Sequence, residues 1–315
     1  MPDILTVTLN PCVDLATGIS ALEPGLKLRC SDPAFDPGGG GINVSRAIKL
    51  LGGRSAALVA IGGNNGARLL ELLTQEGIAT VGFQGPGETR QSLSVTSEAD
   101  GGQYRFVLPG PSWSENDLRR ALDTIDQATG RETLVVLSGS QPPGVAKNFP
   151  AILSGHVQDR RARLVVDTSG PALANLVEDP HESLHVLRMD AEEAEGLAGR
   201  ALPSRADTAA FARSLVDRGI ARYVLVSRGP DGSVLATSDG CWHAVSPRVK
   251  VVSAVGAGDS FVGGFTYALS RNDAPPECLR LAVATAASAV TTEATRLCDP
   301  DMVRDMMPQI DVTEI

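Results

Sequence analysis

Residues 251–265 read VVSAVGAGDSFVGGF, and the interpretation of the whole chain turns on them. A β-branched run ends in Gly-Ala-Gly-Asp, after which small and apolar residues continue through Phe261, Phe265 and Leu269 at helical spacing. That pattern predicts a strand, a tight turn and a helix. Gly256 and Gly258 remove Cβ atoms where the backbone must approach a ligand closely. The helix that follows turns its unpaired amides and the positive end of its dipole toward the same place, which suits a phosphate. Asp259 stands at the mouth of that site. A carboxylate beside an anion is repulsive unless it has work to do, such as taking the proton from a hydroxyl that attacks a phosphoryl group. The plainer alternative is that Asp259 caps a helix after a flexible turn.

Two common nucleotide motifs are excluded. No Gly-Lys-Ser/Thr follows at Walker A spacing, and no dinucleotide fingerprint with its ribose-binding acid is present. The 315 residues are 43% hydrophobic, enough for one large α/β domain or two ordinary ones. A net charge of −9 without a basic block argues against a nucleic-acid groove or a polybasic membrane surface, so an anionic substrate must be held by local cations. Cys12, Cys30, Cys241, Cys278 and Cys298 are odd in number and form no C-x-x-C pair, which speaks against a disulfide framework or structural zinc and for a reducing, cytoplasmic setting. Neither an export signal nor a membrane span is expected.

Working outward from the N-terminus, residues 4–9 (ILTVTL) predict a buried strand broken at Asn10-Pro11, so that Asp14 lies just past a strand end or in a turn. Residues 17–35 lack a helical stripe and contain Lys27 and Arg29; they read as small strands outside the main sheet. Gly38, Gly39, Gly40 and Gly41 form a loop with exposed amides ahead of Asn43. Val44, Ala47, Ile48 and Leu51 then give the next helix one apolar face. This is a second glycine-to-helix junction, read as a ligand loop in preference to a linker. Residues 92–96 and 103–108 flank Asp100-Gly101-Gly102 as a hairpin, with Arg90 and Arg105 in or beside it. If that hairpin joins the earlier extended pieces as a cover, its arginines face a phosphate.

From Leu118 the chain alternates strand, small-residue loop and helix. Strand ends are expected at Ser138-Gly139-Ser140, at Asp167-Thr168-Ser169-Gly170, at Arg188-Met189-Asp190 and at Ser227-Arg228-Gly229. The implied architecture is α/β: a mostly parallel sheet covered on both faces, ligands at the carboxyl ends of its strands, and an antiparallel lid inserted in a single domain spanning residues 1–315. The lid is expected from about residues 12–37 and 87–109, and the tail from Pro308 is expected to be peripheral.

These residues resemble the ribokinase-like sugar kinases of the phosphofructokinase B family over nearly the whole chain. Its two signatures match the run from Gly38 to Asn43 and Val255-Gly256-Ala257-Gly258-Asp259. Further runs, among them Lys27-Leu28-Arg29-Cys30, Gln103-Tyr104-Arg105-Phe106-Val107, Ser138-Gly139-Ser140 and Thr295-Arg296-Leu297-Cys298, resemble the family's bacterial 6-phosphofructokinase branch. Gly40 stands where 1-phosphofructokinases and tagatose-6-phosphate kinases usually carry lysine. The resemblance implies a three-layer α/β/α kinase with a β lid, transferring phosphate from MgATP to the C1 hydroxyl of fructose 6-phosphate. Asp259 is then the base, and the turn Gly256, Ala257 and Gly258 stabilises the transferred group. Asp14, Gly39, Asn43, Ser138 and Gly139 bind the sugar, and Lys27, Arg90 and Arg105 its phosphate. Arg188, Asp190, Ser227, Gly229 and Gly232, with Gly256 and Gly258, bind the nucleotide. Glu193 and Asp190 bind Mg2+, a monovalent cation sits near the last helix, and the lid pairs two copies into a homodimer.

The nucleotide side departs from the family pattern. Arg188-Met189-Asp190 replaces Lys-Pro-Asn, Arg228 is bulkier and more polar than the usual residue, and Ala254, Thr292 and Ala294 replace typical Thr, Asn and Gly. Two alternatives follow: a kinase of tagatose 6-phosphate or fructose 1-phosphate, and a catalytically silent sugar-phosphate or nucleotide sensor.

Overall fold

The computed structural model describes residues 1–179, 182–293 and 295–315. The chain opens with β1 (Ile4–Thr8), runs through β2 (Cys12–Ile19) and β3 (Ala34–Gly38), and enters α1 (Gly40–Leu50). β4 (Ala56–Ile61), α2 (Gly63–Gln75) and β5 (Ala79–Gln84) follow, then the hairpin of β6 (Arg90–Ser97) and β7 (Gln103–Val107). Regular alternation comes next: α3 (Glu115–Ala128), β8 (Leu134–Ser138), α4 (Phe149–Asp159), β9 (Arg163–Asp167), α5 (Gly170–Glu178) and β10 (Leu184–Asp190). α6 (Ala191–Ala198), α7 (Arg205–Asp217), β11 (Ala221–Ser227), β12 (Ser233–Ala236) and β13 (Cys241–Ala244) lead to the helices α8 (Ala257–Ser270), α9 (Pro275–Ala289) and α10 (Pro300–Met306). β14 (Val312–Glu314) ends the chain.

Among the described residues ten strands make the main sheet, in the order β14-β13-β12-β11-β10-β9-β8-β1-β4-β5. From β11 to β5 every neighbour is parallel, and β12, β13 and β14 extend the β11 edge antiparallel. Burial on both faces explains why these strands read as near-continuous apolar runs. Side chains alternate between two cores: Leu134 and Val136 of β8 pack toward α1, α8 and α9, while Val135 and Leu137 pack toward the α3, α4 and α5 side. The mostly parallel sheet expected from the sequence is the one observed. The tail is peripheral as expected but not irregular: β14 pairs with β13 through Val312 and Ala244 and forms the edge strand of the main sheet.

A second sheet, ordered β3-β2-β6-β7, stands apart from the first. Its outer pairs are antiparallel, but β2 and β6 run parallel from Cys12 opposite Arg90 to Ile19 opposite Ser97, against the antiparallel expectation. The lid therefore forms by two excursions from the main sheet laid side by side, not by one meander. Strand structure in the 17–35 stretch is confined to its ends. Residues 20–33 between them are irregular, as Pro24, Gly25 and Pro33 would impose.

The β-branched run at 251–255 is not a strand. Val251 and Val252 are exposed, and the amides of Val252 and Ser253 both donate to the carbonyl of Val290 at the end of α9. β-propensity describes a fit to a half-buried pleated surface, and no neighbouring strand offers one here. What positions α8 is its packing. A Cβ added at Gly263 would lie 2.8 Å from Ala47 Cβ, and one at Gly264 would lie 2.6 Å from Thr285 Oγ1, so α8 seats directly between α1 and α9. Phe261 and Phe265 on the same helix are each 1% exposed and contribute about 1.5–3 kcal/mol apiece by burial. That packing brings the start of α8 against the start of α1, where Asn43 meets Asp259.

Candidate active site

Gly256 takes a left-handed conformation (φ 76°) that a side chain would strain, and it is the N-cap of α8. Asp259 is three residues on, and it caps nothing. Asn43 Nδ2 donates to Asp259 Oδ2 at 2.9 Å, and Ser138 Oγ donates to Asp259 Oδ1 at 3.4 Å. The capping alternative raised by the sequence is therefore corrected: the side chain reaches across to α1 and β8. Withdrawal from water, reinforced by the nearby Asp167 carboxylate, pushes the Asp259 carboxyl up to about 6. Among the described residues, the backbone amides of Gly258 and Asp259 have no backbone acceptor, while Ala257 N makes a long contact of 3.4 Å to Ala254 O. Two donors at a helix start thus remain available for an anion.

Both glycine junctions meet at this point. Gly38 is the last residue of β3, Gly39 precedes the helix, and Gly40 and Gly41 are its first turn, so the expected glycine-to-helix junction is observed, with the loop reduced to Gly39. A Cβ at Gly40 would lie 2.6 Å from both Gly139 N and Ser138 Oγ. The bare backbone there lets α1 close onto the end of β8. Gly139 N in turn donates to Asp167 O at 3.0 Å.

On the lid side, Asp14 is a strand residue of β2 and not the turn residue considered from sequence. Its carboxylate lies over Gly38, where a Cβ would come within 2.2 Å of Asp14 Oδ2, and it accepts from Cys12 Sγ at 2.9 Å. Burial raises the Asp14 carboxyl, while Cys12, Arg90, Arg105 and Arg46 oppose that rise; burial pushes the Cys12 thiol up to about 12. Asp14, Ser92, Ser94, Arg105, Val255 and Thr295 line an open pocket. Arg90 is held at its rim: Nε donates to Asn10 Oδ1 at 3.1 Å, and Nη1 donates to Ser92 Oγ at 3.1 Å. Lys27 stands exposed in the irregular 20–33 segment, away from these contacts.

On the sheet side, Arg188 Nη1 donates to Asp167 Oδ1 at 3.0 Å and Nη2 to Ser227 Oγ at 3.3 Å. Burial opposes the Arg188 charge, but Asp167, Glu193 and Asp190 outweigh it and hold the guanidinium protonated. A Cβ at Gly258 would meet Arg188 Nη1 at 3.3 Å, so the guanidinium lies directly under the first turn of α8. Asp190 and Ser227 are register partners at the ends of β10 and β11. Asp190 and Glu193 form a reciprocal capping box: each backbone amide donates to the other's carboxylate at 2.9 Å. Burial, and next in turn Asp190 and Asp167, raise the Glu193 carboxyl, opposed by its hydrogen bond from the Asp190 amide and by Arg188.

Gly229 (φ 57°) and Gly232 (φ 88°) bend the turn after β11. Arg228, whose bulk set it apart in the sequence, is directed out of that turn. Its Nη1 donates to Leu202 O at 2.9 Å and to Thr208 Oγ1, and its Nη2 donates to Pro203 O at 3.1 Å. Thr292 directs its hydroxyl to the carbonyls of Ala289 and Leu297, and the Ala294 departure lies outside the described residues.

Three further residues join the site. Asp167 was legible only as a strand-end residue; register pairing with Ser138 brings it beside Asp259. Cys12 shares a strand face with Asp14 two residues on, a period-two signal that could have found it. Arg46 carried no local signal.

A carboxylate raised above its usual range at the start of a helix, with Arg188 beneath that first turn and a pocket lined by Asp14 and Arg105 of the lid, fits a phosphotransferase that uses an alcohol group as acceptor. The chain belongs to the pfkB family of carbohydrate kinases, whose profile matches residues 7–302. It is 38% identical over 301 residues to the ATP-dependent 6-phosphofructokinase isozyme 2 of Escherichia coli (strain K12), covering 96% of both chains. It is 30% identical over 312 residues to the 1-phosphofructokinase of Bacillus subtilis (strain 168), covering 99% of this chain and all of that one. The crystal structure of the phosphofructokinase-2 from E. coli in complex with fructose-6-phosphate matches with a TM-score of 0.91 at 36% identity, covering 98% of this chain and 99% of that chain. The ribokinase-like fold expected from sequence is the fold observed.

Proposed function

We propose that this kinase transfers the γ-phosphoryl group of ATP to the C1 hydroxyl of fructose 6-phosphate. The reading is supported by the pocket lined by Asp14, Arg105 and Val255, the last just before the turn that leads to Asp259, whose carboxyl is raised to about 6. Asp14, Gly39, Asn43, Ser138 and Gly139 hold the sugar, and Arg90 and Arg105 hold its phosphate with forked, charge-assisted hydrogen bonds. Asp259 takes the C1 proton as O1 bonds to the γ-phosphorus and the bond to the ADP oxygen breaks. The amides of Gly258 and Asp259 and the guanidinium of Arg188 face the charge that builds on the transferred group. Ser227, Gly229 and Gly232 form the turn where the nucleotide binds.

Mg2+ fits the carboxylates of Asp190 and Glu193. Both are hard oxygen donors, each binds one backbone amide through a single oxygen, and Arg188 beside them limits the charge they present. Such an ion would screen the triphosphate. A monovalent cation near the last helix gains no support from Thr292, whose hydroxyl is committed to carbonyl oxygens.

Gly40 favours fructose 6-phosphate over the sugars of lysine-bearing relatives, since its surroundings leave no room even for a Cβ. Turnover of fructose 6-phosphate, tagatose 6-phosphate and fructose 1-phosphate with MgATP tests the reading. Fructose 6-phosphate should give the highest kcat/KM, and turnover of fructose 1-phosphate alone would overturn it. Binding of a phosphosugar without turnover by ATP or GTP would identify a sensor.

Arg105→Ala should raise KM for the phosphosugar about tenfold or more, with kcat little changed. Lys27→Ala should act in the same direction if the 20–33 segment folds over the sugar phosphate, and an unchanged KM would remove Lys27 from the site.

We also infer a cytoplasmic homodimer. The five cysteines are all free thiols. No described helix is long and apolar enough to cross a membrane. β7 is an edge strand of the lid, and Phe106, Val107 and Leu108 at its end are each about half exposed, a surface that a second lid would cover. Light scattering should give twice the chain mass of 32.8 kDa at micromolar concentration, and a monomer throughout would reject the pairing.

A further inference from the structure

We propose that Arg46 is a positioning residue for phosphoryl transfer: its guanidinium turns the Asn43 side chain so that the NH2 group, and not the oxygen, meets Asp259. This inference rests on the kinase reading above and concerns what sets up its base. Arg46 and Asn43 lie three residues apart on one face of α1. Arg46 is 7% exposed, and its Nη1 donates to Asn43 Oδ1 at 3.4 Å. A guanidinium has five donors and no acceptor, so only the amide oxygen can face it. The NH2 group is then the part left for Asp259 Oδ2, at 2.9 Å. An Asn whose two ends are otherwise interchangeable is thereby given one orientation.

The guanidinium is itself fixed from several directions. Nε donates to Glu76 Oε2 at 2.7 Å, Nη1 also donates to Pro37 O at 3.4 Å, and Nη2 is 3.7 Å from Asp36 Oδ1. Asp36 also accepts from Thr295 Oγ1 at 2.6 Å. Pro37 and Asp36 belong to the lid strand β3 that runs into Gly38 and Gly39. One buried cation therefore anchors both the end of the lid and the partner of the base. The charged and polar groups facing Arg46 are Asp36, Glu76 and, at longer range, Asp14, while Lys49 on the same helix donates to the carbonyls of Glu76 and Gly77. Those facing Asp259 are Asn43, Ser138, Asp167 and Arg188.

Without Arg46 the Asn43 side chain can rotate and place its oxygen against the Asp259 carboxylate. That loses a hydrogen bond to the charged form of the base and adds a repulsion, so the base should protonate at a higher pH. The test is the pH dependence of kcat with MgATP and whichever phosphosugar the enzyme turns over fastest. Wild-type turnover tests the kinase reading by itself; the variants tested against wild type examine Arg46. Arg46→Met should lower kcat about tenfold and move the acid limb of the profile upward by about one pH unit. Arg46→Lys keeps a positive charge against Glu76 and Asp36, so it secures a folded variant. Its point charge cannot span Glu76, Pro37 and Asn43 together, and it should move the limb in the same direction. Glu76→Gln keeps an acceptor for Nε and should leave the limb in place even if the melting temperature falls. An Arg46→Lys acid limb superimposed on that of wild type would overturn the proposal, as would an equal displacement in Glu76→Gln.

Discussion

Asp259→Asn is expected to lower kcat by about 10²–10⁴-fold, the contribution general-base catalysis ordinarily makes, with KM for the phosphosugar nearly unchanged. Asparagine retains one oxygen to accept from Asn43 Nδ2, and its NH2 group can donate to Ser138 Oγ in place of the bond the carboxylate accepted, so the geometry of the site survives while the proton acceptor is lost. The same variant should be more stable than wild type at neutral pH. A carboxyl with a folded pKa raised to about 6, above its ordinary value, binds protons more tightly when folded than when unfolded. Its penalty is absent at low pH, grows as pH rises between the ordinary carboxylate range and about 6, and is complete above that. Removing it should gain at most about 3 kcal/mol at pH 8 and nothing at pH 3.5. Denaturant titrations at the two pH values measure that difference. Wild-type kcat should correspondingly fall as pH drops through about 6, as the base becomes protonated, and Asp259→Asn should lack that limb. Near-normal turnover in the variant would reject Asp259 as the base.

Asp14→Ala is expected to cost about 10–100-fold in kcat/KM for the phosphosugar, carried mainly by KM. Asp14 is half-buried in the lid sheet and lines the pocket, accepts from Cys12, and stands over the backbone of Gly38. Its removal would leave the sugar hydroxyls without their charged acceptor and Arg90 and Arg105 without a nearby anion. Asp14→Asn should lose less, because it keeps the shape and one acceptor. Steady-state rates measured with the phosphosugar varied at saturating MgATP separate the two effects. A fall in kcat with unchanged KM would place Asp14 in the chemical step instead of in binding.

Both effects converge on a site whose halves were unequally legible. The start of α8 could be read because its signal is local: glycines at a turn, an acid three residues after the cap, and a helix with one apolar face. The parallel sheet could be read for the same reason, since strands buried on both faces announce themselves as short apolar runs. The strand expected at 251–255 failed because β-branched residues meet the requirement of a strand only where a neighbour exists, and here Val251 and Val252 face solvent. Asp167 and Arg46 were hidden because their roles come from register and packing. Ser138 and Asp167 are paired across β8 and β9. Arg46 gathers Asp36, Asn43 and Glu76 from three segments of chain. At Asp190 and Glu193 the metal role came from the family resemblance, while the local signal, an acid at the helix start and another three residues on, is that of the capping box they form.

Arg228 shows how a departure from a family pattern can be absorbed structurally. A large cation in a nucleotide turn invites a functional reading, yet its guanidinium ties the segment before α7 to the end of β11 through the carbonyls of Leu202 and Pro203.

A crystal structure of the enzyme with fructose 6-phosphate bound tests the central claim most directly. The account predicts the C1 hydroxyl within hydrogen-bond reach of the Asp259 carboxylate, about 2.6–3.2 Å, with the 6-phosphate toward Arg90 and Arg105. A sugar bound in the reverse sense, with its phosphate at the start of α8 and its C1 end at the arginines, would contradict it.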